Sequence, residues 1–252
     1  MGKLMVDWRA VLARCAAWTA PLLAWVSSQC PLCRAPAASG RFCGLCGVCR
    51  AALRQGSGQL PPASLEGVDA LCHAFAYEAP GDVLIWQYKV GLRLRHARLL
   101  AGLMADAWRA QQPWAAGLPC QAGAPVLVPV PSSRRSLLRR GFNPARELSR
   151  HLAGQLMLRE RPDWLLRHET AHKQAVLGRR ARSAIRDGVF HCPAAIPGAV
   201  VILVDDVVTT GSTASAAALS LKAAGAAWVG VLAAARVPPL GRPSMLAHAE
   251  RE

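Results

Sequence analysis

The stretch 201–213 constrains the fold of this chain more than any other part of the sequence. Its first four residues, 201–204, are apolar and typical of a buried parallel strand. Asp205 and Asp206 follow, and a turn of Thr, Gly and Ser residues then leads into an alanine-rich helical segment. In such an arrangement carboxylates accept hydrogen bonds from ribose hydroxyls, while N–H groups at the helix start hold a phosphate. The stretch therefore predicts a strand–loop–helix unit that binds a phosphorylated sugar.

The surrounding sequence places this unit in a larger α/β domain. Helical and strand patterns alternate from residue 65 to residue 236, as a doubly wound sheet requires. Pro144 falls in the first turn of one predicted helix, where proline is tolerated. The pattern predicts helices over 81–111, 143–158 and 212–224, and strands over 126–130, 164–167, 188–192, 200–204 and 228–234. We therefore expect a mainly parallel sheet with helices between its strands.

The structure of the remaining segments is predicted from their amino-acid composition. Residues 1–28 are predicted to form a helix, 29–54 a cysteine module closed by a short helix at 50–54, 55–62 a linker, and 237–252 a flexible tail. The uncharged run 15–26 has twelve residues, fewer than the roughly twenty needed to span a membrane. A signal peptide is the alternative for this segment. We favour an amphipathic helix packed on the protein, and no membrane span.

The charge balance limits the partners. The chain has 252 residues with 30 Lys+Arg against 15 Asp+Glu, a formal net charge of +15. Most of the basic residues are arginines, which bind phosphate through two donors and stack on bases. This excess favours nucleic acid or phosphorylated small molecules as partners, although biased codon usage also produces an arginine surplus.

Five of the nine cysteines fall between residues 30 and 49 in CxxC spacing. This spacing favours zinc in a reducing cytoplasm over disulfides. Cys30 and Cys33 form one pair, and the second is Cys43 with Cys46 or Cys46 with Cys49. We prefer Cys46 and Cys49, because a helix can start directly after Cys49, and we keep Cys43 as the alternative ligand. Four protein ligands leave no open position, so the zinc is predicted to be structural.

A second basic segment follows the strand 126–130. The strand ends in a Pro/Ser turn, and arginines then lead to Gly141 and a new helix. Such a loop beside the phosphosugar unit can hold pyrophosphate oxygens, because arginine offers paired donors. The arginines considered are Arg134, Arg139 and Arg140. The alternative is a solvated basic loop.

These motifs carry two resemblances. The stretch 201–213 resembles the 5-phosphoribosyl-1-pyrophosphate (PRPP) motif of type I phosphoribosyltransferases. Residues 28–236 resemble the ComF family of competence-associated proteins. The resemblance rests on the CxxC pairs, Lys89-Val-Gly91, the Pro-Val-Pro strand end, Arg140-Gly-Phe-Asn143 and the PRPP loop, which occur in the same order. One departure is Ile185, where the family usually has asparagine.

The resemblance implies a type I phosphoribosyltransferase-like fold that binds PRPP with Mg2+ and handles single-stranded DNA in DNA uptake. Asp205 and Asp206 would hold the ribose hydroxyls and act as the catalytic residues of any transfer reaction. The PRPP-binding set would be completed by Val207, Thr209, Thr210, Gly211, Ser212 and Thr213. Contacts to pyrophosphate or DNA would come from Lys89, Arg134, Arg139, Arg140, Arg179 and Arg182. The implied partners include DNA-uptake machinery at the inner face of the membrane.

Two other functions remain open on the sequence. One is a Mg2+-dependent phosphoribosyltransferase acting on a base or amine, although no acceptor pocket can be identified. The other is a transcriptional regulator that senses PRPP, for which no helix-turn-helix is found. Trp86 and Trp164 are either stacking platforms for bases or ordinary core residues.

Overall fold

The computed structural model of the protein describes residues 29–37, 44–55, 58–60, 65–111, 123–168 and 188–238. The predicted N-terminal helix, Cys43, Arg179, Arg182 and the tail from 239 onward lie outside the described residues. The chain divides into two compact units, Met1–Ala51 and Ala52–Glu252. No helix among the described residues is both long enough and apolar enough to cross a membrane.

In the N-terminal unit the described residues form a tight turn and the start of a helix. The amide of Cys30 donates to the carbonyl of Ala35, and the amide of Arg34 donates to the carbonyl of Cys30, both at 2.8 Å. The helix α1 spans Gly47–Gln55. It begins three residues earlier than the predicted 50–54, so that Cys49 lies in its first turn.

The second unit is built on a six-stranded sheet. Five strands are parallel and the edge strand β1 is antiparallel to its neighbour. The strands are β1 Gly58–Leu60, β2 Ala70–Ala76, β3 Val126–Pro129, β4 Arg159–Glu160, β7 Val200–Val208 and β8 Trp228–Arg236. Two further strands, β5 Leu166–Arg167 and β6 Phe190–His191, pair with each other outside this sheet. The predicted α/β class with a mainly parallel sheet is confirmed.

The strand order β1-β2-β8-β7-β3-β4 creates a switch point in the middle of the sheet. From β7 the chain crosses over to β8 on one side, and from β3 it crosses over to β4 on the other. Because such crossovers are right-handed, their helices lie on opposite faces of the sheet. A crevice therefore opens between the carboxyl ends of β3 and β7, where open α/β sheets bind ligands.

Five more helices belong to this unit: α2 Gly81–Lys89, α3 Arg95–Gln111, α4 Arg134–Arg140, α5 Pro144–Leu156 and α6 Ser212–Ala223. Helices α3 and α5 pack together against the sheet, and α6 packs on β7 and β8. The inner strands are apolar along almost their whole length because both faces are covered.

Three predicted boundaries were wrong in informative ways. The pattern 81–111 forms two helices, because the chain turns at Gly91 and at Leu92, whose φ is 50°. The arginine segment after β3 is the helix α4 rather than a loop. Its two ends are capped by Ser133, whose side chain accepts a hydrogen bond from the Ser136 amide, and by Gly141 in the left-handed conformation. The segment predicted as a linker contains the edge strand β1.

Candidate functional site

A polar cavity of about 270 Å³ lies at the switch point. Its walls come from the end of α2, the turn after β3, the helices α4 and α5, and the end of β7. The polar lining consists of Lys89, Ser132, Ser133, Ser136, Arg140, Asn143, Arg167, Asp205, Asp206 and Thr213. Three cationic side chains and two carboxyl groups therefore share one small space, which suits a ligand carrying both anionic groups and hydroxyls.

The two acids are presented by the last residues of β7. This strand continues to Val208, four residues beyond the predicted end, because Asp205 and Val207 still pair with β8. The carboxylate of Asp206 forms an ion pair with the ammonium of Lys89 at 2.8 Å. Burial, together with the neighbouring Asp206 carboxylate, raises the pKa of Asp205 to about 8. The cavity therefore holds one carboxylate paired with Lys89 and, beside it, a second carboxyl group whose pKa is raised.

Arg140 supplies a donor that nothing in the described residues accepts. It is the last residue of α4, and its side chain lines the cavity. The Nε atom of Arg140 is buried and has no hydrogen-bond partner among the described residues. A buried donor without an acceptor is costly. An anionic group in the cavity would satisfy it.

The string Arg140-Gly-Phe-Asn143 fixes this geometry. Gly141 ends α4 with a φ of 78°. The ring of Phe142 packs on Tyr88, with ring centroids 5.7 Å apart, and the Tyr88 hydroxyl donates to the carbonyl of Pro144 at 2.8 Å. These contacts hold α2, and with it Lys89, against the start of α5.

Asn143 joins the turn after β3 to the helix α5. Its side-chain amide donates to the carbonyl of Val130 at 3.1 Å. Its side-chain oxygen accepts from the Ser132 hydroxyl and from the amide of Ala145, both at 3.1 Å. One side chain thus caps the helix and orients the serine turn that forms a wall of the cavity.

The predicted phosphate loop leads from β7 into α6. Gly211 precedes the first residue of that helix and has a φ of 78°. A Cβ atom at Gly211 would lie 2.2 Å from a methyl carbon of Leu65, so any larger residue would displace that side chain, and the positive φ independently favours glycine. Thr209 and Thr210 are exposed and Thr213 lines the cavity. The N-terminus of α6 thus lies next to the acids, as the sequence predicts.

The structure brings some of the predicted contact residues together and leaves others apart. Lys89, Arg140, Asp205, Asp206, Val207 and Thr213 line one cavity. Arg134 and Arg139 are exposed on α4 and are not part of its lining.

Sequence reasoning missed Arg167 and the serines of the turn. Arg167 lies on β5, directly before the basic segment that the sequence singled out, and its guanidinium packs over the Phe190 ring at 5.3 Å. Its position at the start of a charged segment was the available signal.

The two tryptophans differ. Trp86 is 58% exposed on α2. Trp164 is half-buried, packs against the core, and has the Arg161 guanidinium 4.7 Å from its ring centroid. Of the two, Trp86 is the more exposed, as a side chain that stacks on bases must be.

In the N-terminal unit the ligand atoms of Cys30, Cys33, Cys46 and Cys49 all lie within 4.8 Å of one another. The sulfurs of Cys33 and Cys46 are 3.5 Å apart, close to the roughly 3.8 Å expected around a tetrahedral zinc with Zn–S bonds of about 2.3 Å. The amide of Cys49 donates to the sulfur of Cys46 at 3.4 Å. The four thiols fit a structural metal such as zinc, and they are the preferred set of the sequence analysis.

Comparison with known proteins adds a set of relatives. The chain is 30% identical over 223 residues to the DNA utilization protein YhgH of Escherichia coli O6:H1 (strain CFT073), a match that covers 82% of this chain and 96% of the relative. The proteins of the same name from E. coli K12 and Salmonella typhimurium LT2 are also 30% identical over the same shares. No protein-family model matches the chain.

One similar solved structure is that of the protein TT1426 from Thermus thermophilus. It is 20% identical, and the match covers 61% of this chain and 87% of that protein with a TM-score of 0.32.

Proposed function

The chain belongs to the family of the DNA utilization protein YhgH, and on this premise we propose that it binds PRPP in the switch-point cavity and handles single-stranded DNA in DNA uptake. Membership of the ComF family and a cytoplasmic location are parts of the same proposal. The excess of basic residues, with a formal net charge of +15, supports a polyanionic partner.

The observation that carries the PRPP proposal is the buried Nε of Arg140, which lacks an acceptor among the described residues. It faces a cavity that also contains the cations Lys89 and Arg167. The cavity lies at the carboxyl ends of β3 and β7, where ligands of open α/β sheets bind. An anionic ligand would satisfy Arg140 and use charges that this cavity already concentrates.

The hydroxyls and phosphates of PRPP match the lining group by group. Asp205 and Asp206 would accept hydrogen bonds from the ribose hydroxyls, and the amides at the start of α6 would hold the 5′-phosphate. Lys89 and Arg140 would bind pyrophosphate oxygens. Mg2+ bound with the substrate would neutralise part of the pyrophosphate charge.

A Mg2+-dependent phosphoribosyltransferase is the second candidate, and the acid pair favours it. Both acids line the cavity, and one of them would stabilise positive charge developing on the ribose. An acceptor nitrogen would bond to C1 of the ribose as the C1–O bond breaks, and pyrophosphate would leave with both electrons of that bond. Transfer needs an acceptor, whereas binding does not.

Calorimetric titration with Mg-PRPP tests the site. Wild-type protein is expected to bind, and the double variant Asp205→Asn with Asp206→Asn is expected to lose binding while keeping its fold. Asp163→Asn, at a carboxyl that is 61% exposed and outside the cavity, serves as a control for the loss of negative charge. Undiminished PRPP binding by the double variant would refute the site assignment.

Fluorescence anisotropy of a labelled single-stranded oligonucleotide tests the DNA part of the proposal. Titration near physiological salt, with and without Mg-PRPP, should give micromolar or tighter binding with poor competition by duplex. A PRPP effect on that affinity makes the sugar site regulatory. Absence of binding in both conditions favours the transferase and directs the search to an acceptor.

A further inference from the structure

Helix α2 has two faces with different surroundings. Leu84, Ile85 and Tyr88 are at most 1% exposed and pack inward. Val83, Trp86 and Val90 follow at intervals of three and four residues, so they share the opposite face. Their exposed fractions are 41%, 58% and 62%. The outer face of α2 is therefore apolar and open to solvent.

The turn after α2 carries two further exposed apolar residues. Leu92 is 53% exposed and Leu94 is 48% exposed. Leu92 has a φ of 50°, a conformation that a branched apolar residue rarely adopts. The amide of Arg93 donates to the carbonyl of Gln87 at 3.2 Å, which ties the turn to the last turn of α2. The backbone thus adopts a strained conformation where it presents leucines outward.

Arginines are interleaved with these apolar residues. Arg93, Arg95 and Arg98 are exposed, and none has a described carboxylate within ion-pair distance. The segment 83–98 contains no acidic residue. Burial lowers the pKa of His96, which lies beneath this surface, to about 4, and Arg95 and Arg93 contribute to the lowering. The surface is therefore strongly positive as well as apolar.

We propose that this surface, formed by Val83, Trp86, Val90, Leu92, Arg93, Leu94 and Arg95, is where single-stranded nucleic acid docks, with a base stacked on Trp86 and phosphates on the arginines. The proposal rests on the proposed function and gives it a location. Aromatic platforms beside cations bind single strands without reading sequence. A second copy of this chain is a poorer occupant, because a symmetric contact would bring the same arginines together.

The location also connects the two ligands. Lys89 leaves the same helix on its inner side and pairs with Asp206 in the cavity. A strand bound on the outer face of α2 would therefore rest on the element that positions Lys89. This arrangement predicts that Mg-PRPP changes the affinity for the strand, and that the strand changes the affinity for Mg-PRPP by the same factor.

The test uses the full chain and a labelled oligothymidine of roughly 20 nucleotides. Trp86→Ala should weaken binding about tenfold, and Trp86→Phe should restore most of it because a ring face remains. In the double variant Arg93→Ala with Arg95→Ala, the slope of log affinity against log salt concentration should be less steep by about 1.4. Each phosphate contact to a single strand contributes about 0.7 to the steepness of that slope. Arg150→Ala is the control, because Arg150 is already paired with Glu147 at 3.3 Å, and its slope should be unchanged.

Each other outcome overturns the proposal in a recognisable way. Wild-type binding that is unaffected in the Trp86 and arginine variants refutes this surface and leaves the proposed function standing. Failure of the wild type to bind any oligonucleotide refutes the DNA part of both. A wild-type dimer that Trp86→Ala dissociates, measured by light scattering, assigns the surface to self-association. If the Trp86 and arginine variants lose binding to anionic lipid vesicles but bind the oligonucleotide as the wild type does, the surface is assigned to membrane binding. Circular dichroism and thermal unfolding, which depend on neither ligand, confirm that each variant is folded.

Discussion

In the N-terminal unit the four thiols of the candidate metal site lie within 4.8 Å of one another. Few other side chains support them: among the described residues of that unit, the buried ones are Cys30, Leu45 and Cys46. In the α/β unit the candidate site lies at the carboxyl ends of β3 and β7, in a sheet whose inner strands are buried along almost their whole length. A metal would supply most of the stability of the first site. The second site is held by a core that exists without any ligand. The same chain thus contains one site that depends on its ligand for shape and one that does not.

Loss of the metal should break one unit and spare the other. Cys30→Ser is expected to lower the zinc content from about one equivalent to near zero and to unfold the module, because four thiolates are needed for a closed tetrahedral site. Hydrogen exchange should rise over 29–51 and stay unchanged over the sheet. Cys192→Ser is the control, since Cys192 lies in the α/β unit. Unfolding of both units by Cys30→Ser would contradict the comparison.

Gly211→Ala should destabilise the α/β unit and leave the metal site of the N-terminal unit intact. The new methyl group meets Leu65 and the backbone requires a positive φ, so we expect a loss of about 2–4 kcal/mol in the free energy of unfolding. Denaturant unfolding measures it, with zinc content unchanged. Gly154→Ala, which meets no atom within 4 Å, should instead leave stability unchanged or raise it by up to about 1 kcal/mol.

The acid pair shows that the α/β site is preformed at a cost. The pKa of Asp205 is about 8 in the folded protein against an ordinary value of 3.8, so the folded state holds an extra proton between these values. Because of this group, the free energy of unfolding is higher at low pH and falls as the pH rises toward 8. Asp205→Asn should therefore be the more stable protein by at least about 1 kcal/mol at pH 8, and nearly equal to wild type at pH 4. Thermal unfolding of both proteins at pH 4 and pH 8 tests this prediction. A stability difference between variant and wild type that is the same at both pH values would argue against a raised pKa.

Tyr88→Phe should give the smallest effect and act on positioning. The lost hydrogen bond to the Pro144 carbonyl is expected to cost about 1 kcal/mol of unfolding free energy. Because Tyr88 holds α2 against α5, affinity for Mg-PRPP should fall while zinc content stays constant. Leu138→Ala, at an exposed position on α4, serves as the matched control for a generic substitution. Equal PRPP affinity in Tyr88→Phe and wild type would show that the hydroxyl does not position Lys89.

Local patterns predicted much of the fold. The apolar run before Asp205 predicted a buried strand, Pro144 marked the start of a helix, and CxxC spacing selected the four thiols that the structure brings together. These signals succeed because each depends on residues close in sequence. The boundaries at Gly91 and within the arginine segment failed because a turn and a capped helix have similar compositions there.

Which chemical groups the protein carries follows from the sequence alone: paired thiols, two adjacent acids, a glycine at a helix start and an excess of arginine. Which of them meet depends on the tertiary structure. The strand order placed β3 beside β7, so that Arg140 and Lys89 face the acids although more than 60 residues separate Arg140 from Asp205. The packing of α2 decided that Tyr88 is buried and Trp86 is exposed, two residues apart in the chain. Contacts between distant segments set these outcomes, since local propensity cannot specify which faces of a helix are covered.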